Sequence, residues 1–143
     1  MTLLSTASFA PARTTGLPTG LRSLFAAALL TAAGWAQALE LKPFTAEALA
    51  AAQQAGQPVA VHFHAEWCPT CKLQEKSLNQ LKTESGLDMT VLVADYDKEK
   101  DLKKAMRVRS QSTLVVFRGT QEKARLGGDT SADKIRAALK TAL

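Results

Sequence analysis

The chain contains two cysteines, and both fall in one segment, Cys68-Pro69-Thr70-Cys71, three residues beyond the run Val59-Ala60-Val61-His62-Phe63-His64. Two cysteines cannot staple a scaffold, so any fold must rest on its core. The run preceding the cysteines is β-branched and aromatic, opens after Pro58 and has the length of a strand. The stretch from Pro69 to about Thr83 favours a helix, with Leu73, Leu78 and Leu81 available for one buried side. The cysteines therefore sit where a buried strand gives way to a helix. Cys68 falls at the N-cap and Pro69 at the first helical position, where a fixed φ suits the helix and no N–H is lost. Free backbone N–H groups and the positive end of the helix dipole favour a thiolate there, lowering the Cys68 pKa. Cys71, one turn further in and more buried, is placed to attack a disulfide formed on Cys68. That arrangement supports two-step thiol–disulfide exchange through a mixed disulfide.

Around this junction the chain alternates helix and strand. Leu39–Phe44 is a short lead-in with edge-strand character, limited by Pro43. Thr45 caps a helix through Ala55 that carries Glu47 in its first turn and stops at Gly56. Thr90–Tyr96 reads as a second buried strand, and Lys98–Arg107 as a short charged helix presenting Leu102, Ala105 and Met106. Thr113–Phe117 is a third strand, Arg118-Gly119-Thr120-Gln121 a hairpin turn, and Glu122–Leu126 a fourth strand. Gly127-Gly128 ends that strand. Thr130 or Ser131 caps a last helix carrying Ile135, Ala138 and Leu139. The expected architecture is α/β, a central sheet of about four strands flanked by helices.

The first 38 residues read differently from the rest. Residues 1–22 contain Arg13 and Arg22 and no acidic residue; an apolar run follows from Leu24 to Ala33, and Ala36-Gln37-Ala38 closes it. A basic n-region, an apolar h-region of about ten residues and an A-x-A site are the parts of a secretory signal peptide. The apolar stretch from Ser23 to Ala36 is 14 residues long and interrupted by Thr31 and Gly34, short of the roughly 20 that a membrane span needs. The expectation is a cleaved signal peptide over residues 1–38 and one domain over 39–143, with export to the periplasm. The domain keeps 16 basic and 13 acidic residues. Such a mild excess is a solvated surface and excludes a nucleic-acid footprint.

Two other chemistries compete for a C-x-x-C. A structural staple is weak, because closing so short a loop stabilises little by chain entropy. A zinc site needs two further ligands, and His62 and His64, the chain's two histidines, lie on one strand face. A metal-holding module using Cys68, Cys71 and His62 or His64 is therefore the second reading, beside a redox dithiol.

The stretch Val61–Lys72 (VHFHAEWCPTCK) resembles the active-site segment of the thioredoxin superfamily, and of the periplasmic thioredoxin-like domains of transmembrane reductant conductors. The resemblance extends through Val91–Asp97, Val108–Phe117, the Arg118-Gly119 hairpin and the last helix. It implies a thioredoxin fold in which Cys68 attacks and Cys71 resolves. Trp67 would shield the pair and touch substrates, and Pro69 and Thr70 would tune it. The implied activity is thiol–disulfide oxidoreduction on protein thiols and disulfides, slightly favouring the reductase direction. It would use no bound cofactor, a membrane redox partner would reset the dithiol, and the protein would be a monomer. Three positions depart from the family pattern. His62 replaces a buried carboxylate six residues before Cys68, and His64 replaces a tryptophan four residues before it. In the loop facing the dithiol, Gln111-Ser112-Thr113 puts Ser112 where the family has a cis-proline before Thr113. A cis bond at a non-proline residue costs about 3–4 kcal/mol, so the bond before Ser112 is expected to be trans or the loop rearranged. His62 and His64 are expected to remove charge repulsion from the Cys68 thiolate and, when protonated, to attract it. Each of the three also has a plain reading: a core histidine, a rim spacer and a tolerated loop residue.

Overall fold

The seven residues Pro58–His64 form β2 and lie almost wholly out of water, because strands pair with them on both sides and helices cover both faces. The computed structural model describes residues 38–143; apart from Ala38, the expected signal peptide lies outside the described residues. The elements run β1 (Glu40–Pro43), α1 (Ala46–Gln54), β2, α2 (Pro69–Leu81), β3 (Thr90–Asp95), α3 (Lys100–Ala105), β4 (Thr113–Arg118), β5 (Gln121–Gly127) and α4 (Ala132–Lys140). They form one sheet in the order β1-β3-β2-β4-β5. The β1–β3 and β3–β2 pairs are parallel and the β2–β4 and β4–β5 pairs antiparallel. At the centre Val61 stands between Leu92 of β3 and Val115 of β4.

Side-chain alternation along β2 divides the core in two. Val59, Val61 and Phe63 pack with Leu92, Val115 and Phe117 beneath Leu49 of α1, with Leu102 and Met106 of the α3 segment against them. Ala60 faces the other way, onto Leu78 and Leu81 of α2 and Ile135 and Leu139 of α4. Thr45 caps α1 by accepting the Ala48 N–H at 3.1 Å. Gly119, in the turn between β4 and β5, has φ 56°, and a Cβ there would meet the Gln53 carbonyl oxygen at 3.4 Å. A side chain at this position would be both strained and crowded.

The α/β expectation holds, with corrections of detail. The sheet has five strands, because the lead-in pairs fully with β3 through Glu40–Pro43; Pro43 is tolerated at the end of an edge strand. The helix after the cysteines ends at Leu81, where the Thr83 hydroxyl donates to the Gln80 carbonyl. Its buried side consists of Cys71, Gln74, Ser77, Leu78 and Leu81, while Leu73 is 54% exposed and lies outside the core. The third helix starts at Lys100, because the Asp95 carboxylate accepts the N–H groups of Asp97 and Lys98 and holds those residues in a turn. Ala105 is exposed.

These placements fix the energetics of two apolar positions. Ile135→Ala should destabilise the protein by about 2–5 kcal/mol, because it opens a cavity in the α2–α4 side of the core. Leu73→Ala should stay within about 0.5 kcal/mol of wild type. Urea unfolding at constant m-value checks both, and a large loss at Leu73 would contradict its exposed placement.

Candidate active site

Cys68 is the N-cap of α2, with extended backbone angles and its sulfur accepting the Cys71 N–H at 3.2 Å. Pro69 occupies the first turn, as its fixed φ and missing donor allow. Both cysteines are free thiols, and both are buried, Cys68 at 2% exposure and Cys71 at 0%. The sulfur of Cys68 lies under cover, packed with Ala65, Cys71 and the half-buried Tyr96. Burial is the strongest influence on both thiols and disfavours charge on each. At Cys68 the opposing contacts prevail. The Cys71 side chain, the Ser112 hydroxyl and the backbone N–H groups of Cys71 and Thr70 together hold its thiol below the ordinary range. At Cys71, burial and then the Cys68 side chain push the thiol up. Negative charge thus belongs on Cys68 and the proton on Cys71.

Ser112 closes the site from the opposite loop. Its peptide bond is trans, and its φ is 59°, a left-handed conformation uncommon for a residue with a Cβ. The Ser112 N–H donates to the Phe63 carbonyl at 2.9 Å, and its carbonyl accepts the Gly128 N–H at 2.8 Å. The hydroxyl oxygen lies 3.1 Å from the Cys68 sulfur and 3.0 Å from that of Cys71. Thr113 is buried at the start of β4, its hydroxyl donating to the Ser110 carbonyl. Trp67 is 61% exposed, and its indole N–H donates to the Asp97 carboxylate at 2.8 Å, which ties the ring to the loop after β3.

The two histidines stand edge to face on the α2 side of β2, ring centroids 5.7 Å apart. His62 is fully buried, with Nε2 3.0 Å from the Gln74 Oε1. The Gln74 amide N–H donates to the Asp129 carbonyl at 2.7 Å, which leaves its oxygen to accept from His62. The hydrogen-bond network therefore assigns the proton to Nε2, and Nδ1 has no partner. Burial pushes the His62 pKa down to about 4, against the Gln74 hydrogen bond and assisted by His64. His62 is neutral at physiological pH, so it removes the charge of a carboxylate but supplies no attraction to the thiolate. The expected attraction by a protonated imidazole therefore does not apply to it. His64 faces Glu75 at 3.6 Å and Glu66 at 3.9 Å. It lines an open groove of about 450 Å³ with both glutamates, Asn79, Lys82 and the β1 and β3 edges, a groove that includes neither cysteine.

The metal-holding arrangement of Cys68, Cys71, His62 and His64 does not assemble. Among the described residues no three His, Cys, Asp or Glu side chains converge to hold an ion, and the His62 Nε2 is turned onto Gln74. The site also includes residues that the sequence reading missed. Gln74 follows Cys71 by three positions, so helical spacing alone could have put it on the buried side. Asp97, Tyr96 and Gly128 come from other loops, and no local signal marks them.

The neutral state of His62 links stability to pH. Its folded pKa is depressed from 6.5 to about 4, so its contribution is complete above pH 6.5 and is lost as the pH falls through 4. Between pH 7 and pH 4 the loss from this one group is about 3 kcal/mol. Urea unfolding at both pH values should show wild type losing that much more than His62→Asn, which cannot titrate. Equal losses would mean that the folded imidazole takes its proton without penalty.

Comparison with known proteins agrees with this geometry. The family model described as Thioredoxin matches residues 40–141. The chain is 35% identical over 72 residues to a thioredoxin of Mycobacterium tuberculosis, a stretch covering 50% of this chain and 62% of that relative. It thus spans somewhat less than two thirds of the mycobacterial protein. Thioredoxin 1 of Chlorobaculum tepidum is 30% identical over 79 residues, covering 55% of this chain and 78% of its own. The crystal structure of Trxlp from Edwardsiella tarda superposes with a TM-score of 0.66 at 35% identity, over 70% of this chain and 98% of that one. With its sheet order, its Cys68–Cys71 pair at the start of α2 and a family match across nearly all of the described residues, the chain belongs to the thioredoxin family.

Proposed function

We propose that this protein is an exported thiol–disulfide oxidoreductase that exchanges disulfides with other exported proteins through Cys68 and Cys71. The observation that carries the proposal is the asymmetry of the pair: backbone donors and Ser112 stabilise charge on Cys68, while burial keeps the proton on Cys71. The Cys68 thiolate attacks a substrate disulfide, forms a mixed disulfide and releases one substrate thiolate. Cys71 then loses its proton and attacks the Cys68 sulfur, forming the protein disulfide and releasing the second substrate sulfur. Two electrons pass from the dithiol to the substrate.

Trp67, the residue before Cys68 and largely exposed, offers an apolar surface where a polypeptide carrying the disulfide rests. Similarity to thioredoxins favours the reducing direction. A membrane partner in the periplasm returns electrons to the dithiol, the chain acts as a monomer, and no bound cofactor enters the cycle. Residues 1–38, with their basic, apolar and A-x-A parts, support export. A neutral His62 in place of a carboxylate leaves the Cys68 thiolate free of that repulsion. A better stabilised thiolate raises the reduction potential above the roughly −270 mV of thioredoxin.

Division of labour between the thiols tests this reading. Cys68→Ser should abolish reduction of a protein disulfide, whereas Cys71→Ser should accumulate mixed disulfides that non-reducing gels display. Full activity of Cys71→Ser with no trapped species, or faster alkylation of Cys71 than of Cys68, would overturn it. Equilibration with glutathione buffers measures the potential, and a value at or below that of thioredoxin would remove the role given to His62.

A further inference from the structure

We propose that the Ser112 hydroxyl is a catalytic group of this dithiol, a hydrogen-bond donor that serves the Cys68 thiolate in the first half of the exchange and the Cys71 thiolate in the second. The inference deepens the exchange reading above and rests on it. Its ground is the position of one oxygen, 3.1 Å from one sulfur and 3.0 Å from the other. Ser112 is buried at 3% exposure, and among the described residues its hydroxyl hydrogen-bonds to the two sulfurs and to no oxygen or nitrogen. A hydroxyl has one proton to give and can accept in return. Between two thiols sharing one proton, it donates to the sulfur bearing charge and accepts from the sulfur bearing hydrogen.

The backbone is shaped to hold it there. A φ of 59° is rarely adopted by a residue with a side chain, and such a conformation persists where the surroundings over-determine it. Here two backbone hydrogen bonds do so, from the Ser112 N–H to Phe63 and from the Gly128 N–H to the Ser112 carbonyl. A proline at this position would present no donor to either sulfur. Serine therefore adds a polar contact directly at the reacting atoms.

In the reduced monoanion the Ser112 O–H donates to the Cys68 thiolate, and the Cys71 S–H donates to the Ser112 oxygen. Attack on a substrate disulfide forms one S–S bond and breaks another, and the departing thiolate takes up the Cys71 proton. Charge has now moved from Cys68 to Cys71. The Ser112 O–H turns about its C–O bond and donates to Cys71. Attack of Cys71 on the Cys68 sulfur forms the protein disulfide and expels the second substrate thiolate, so that two electrons and one proton, a net charge of −1, have left the protein.

Two measurements on the reduced full chain test the proposal, each with Ser112→Ala and Ser112→Gly. Alanine removes the hydroxyl and keeps the strained φ; glycine removes both, so it folds even where alanine struggles. The first follows iodoacetamide alkylation of Cys68 against pH, the modified residue being assigned by mass. Loss of a hydrogen bond to a charged sulfur should slow the rate at pH 6 about tenfold in both variants and move the midpoint of the profile upward. The neighbouring titratable groups, His62 and His64 on β2 and Tyr96 after β3, are common to wild type and variants. The second forms the Cys68 mixed disulfide with Ellman's reagent and follows release of the remaining thionitrobenzoate as Cys71 attacks. That release should also slow about tenfold in both variants. An unchanged alkylation profile in either variant overturns the proposal, and slowed alkylation with unchanged release overturns the switch, leaving a fixed donor to Cys68. Neither readout uses a protein substrate. Failure of wild type to reduce protein disulfides would therefore strike the exchange reading alone, and these profiles the role of Ser112 alone.

Discussion

The hydrogen bond from the Ser112 N–H to the Phe63 carbonyl joins the two halves of the site. Phe63 belongs to the strand whose end delivers Cys68, and Ser112 to the loop that faces it across the cysteines. The contact lies just beyond the last pair of the β2–β4 ladder, Phe63–Thr113. It depends on the register of a strand buried on both faces. A slip of one residue would turn Phe63 and Val61 into the α2 side of the sheet and His62 into the other. The position of the hydroxyl against the two sulfurs thus follows from the packing of the entire sheet.

Burial opposes charge at three groups within this site, and the number of hydrogen bonds decides each outcome. Cys68 is as buried as a core residue, yet backbone N–H groups at the start of α2 and a hydroxyl meet its sulfur, and the thiolate is favoured. Cys71 is one turn deeper, where charge on Cys68 adds to burial, and it keeps its proton. His62 has a single partner, Gln74, which steadies the ring but cannot offset the removal of an imidazolium from water. The Cys71 side chain and the Ser112 hydroxyl, followed by the backbone N–H groups of Cys71 and Thr70, are therefore what set buried Cys68 apart from buried His62. His62 thus stays an uncharged residue under α2.

Period and composition made the elements legible. The β-branched and aromatic run Val59–His64 after Pro58 gave a strand, and the spacing of Ile135, Ala138 and Leu139 gave the buried side of α4. The misplacement of Leu73 comes from which side of α2 the fold turns inward. Leu73 fits the apolar period of α2 as well as Leu78 does, but α2 turns toward α4 the side carrying Gln74 and Ser77, whose side chains donate to the Asp129 and Thr130 carbonyls. Two polar residues bonded to the loop before α4 thereby occupy buried positions, and Leu73 is left in water. The same limit applied to β1, four residues long and closed by Pro43, whose standing as a strand depends on an edge of β3 being free to receive it.

By itself the sequence determined the α/β class and the placement of Cys68 at a helix N-cap with Cys71 one turn further in, because these follow from propensity, capping and local spacing. It also marked the replacement of a carboxylate, a tryptophan and a cis-proline by His62, His64 and Ser112. Only the tertiary structure decided what those replacements do. It buried His62 beneath α2 and so made it neutral, placed His64 beside Glu75, and brought Ser112, 41 residues after Cys71, within hydrogen-bond reach of both sulfurs. Charge state and hydrogen-bond partner depend on solvent exclusion and on groups distant in the chain, and neither is encoded in local spacing.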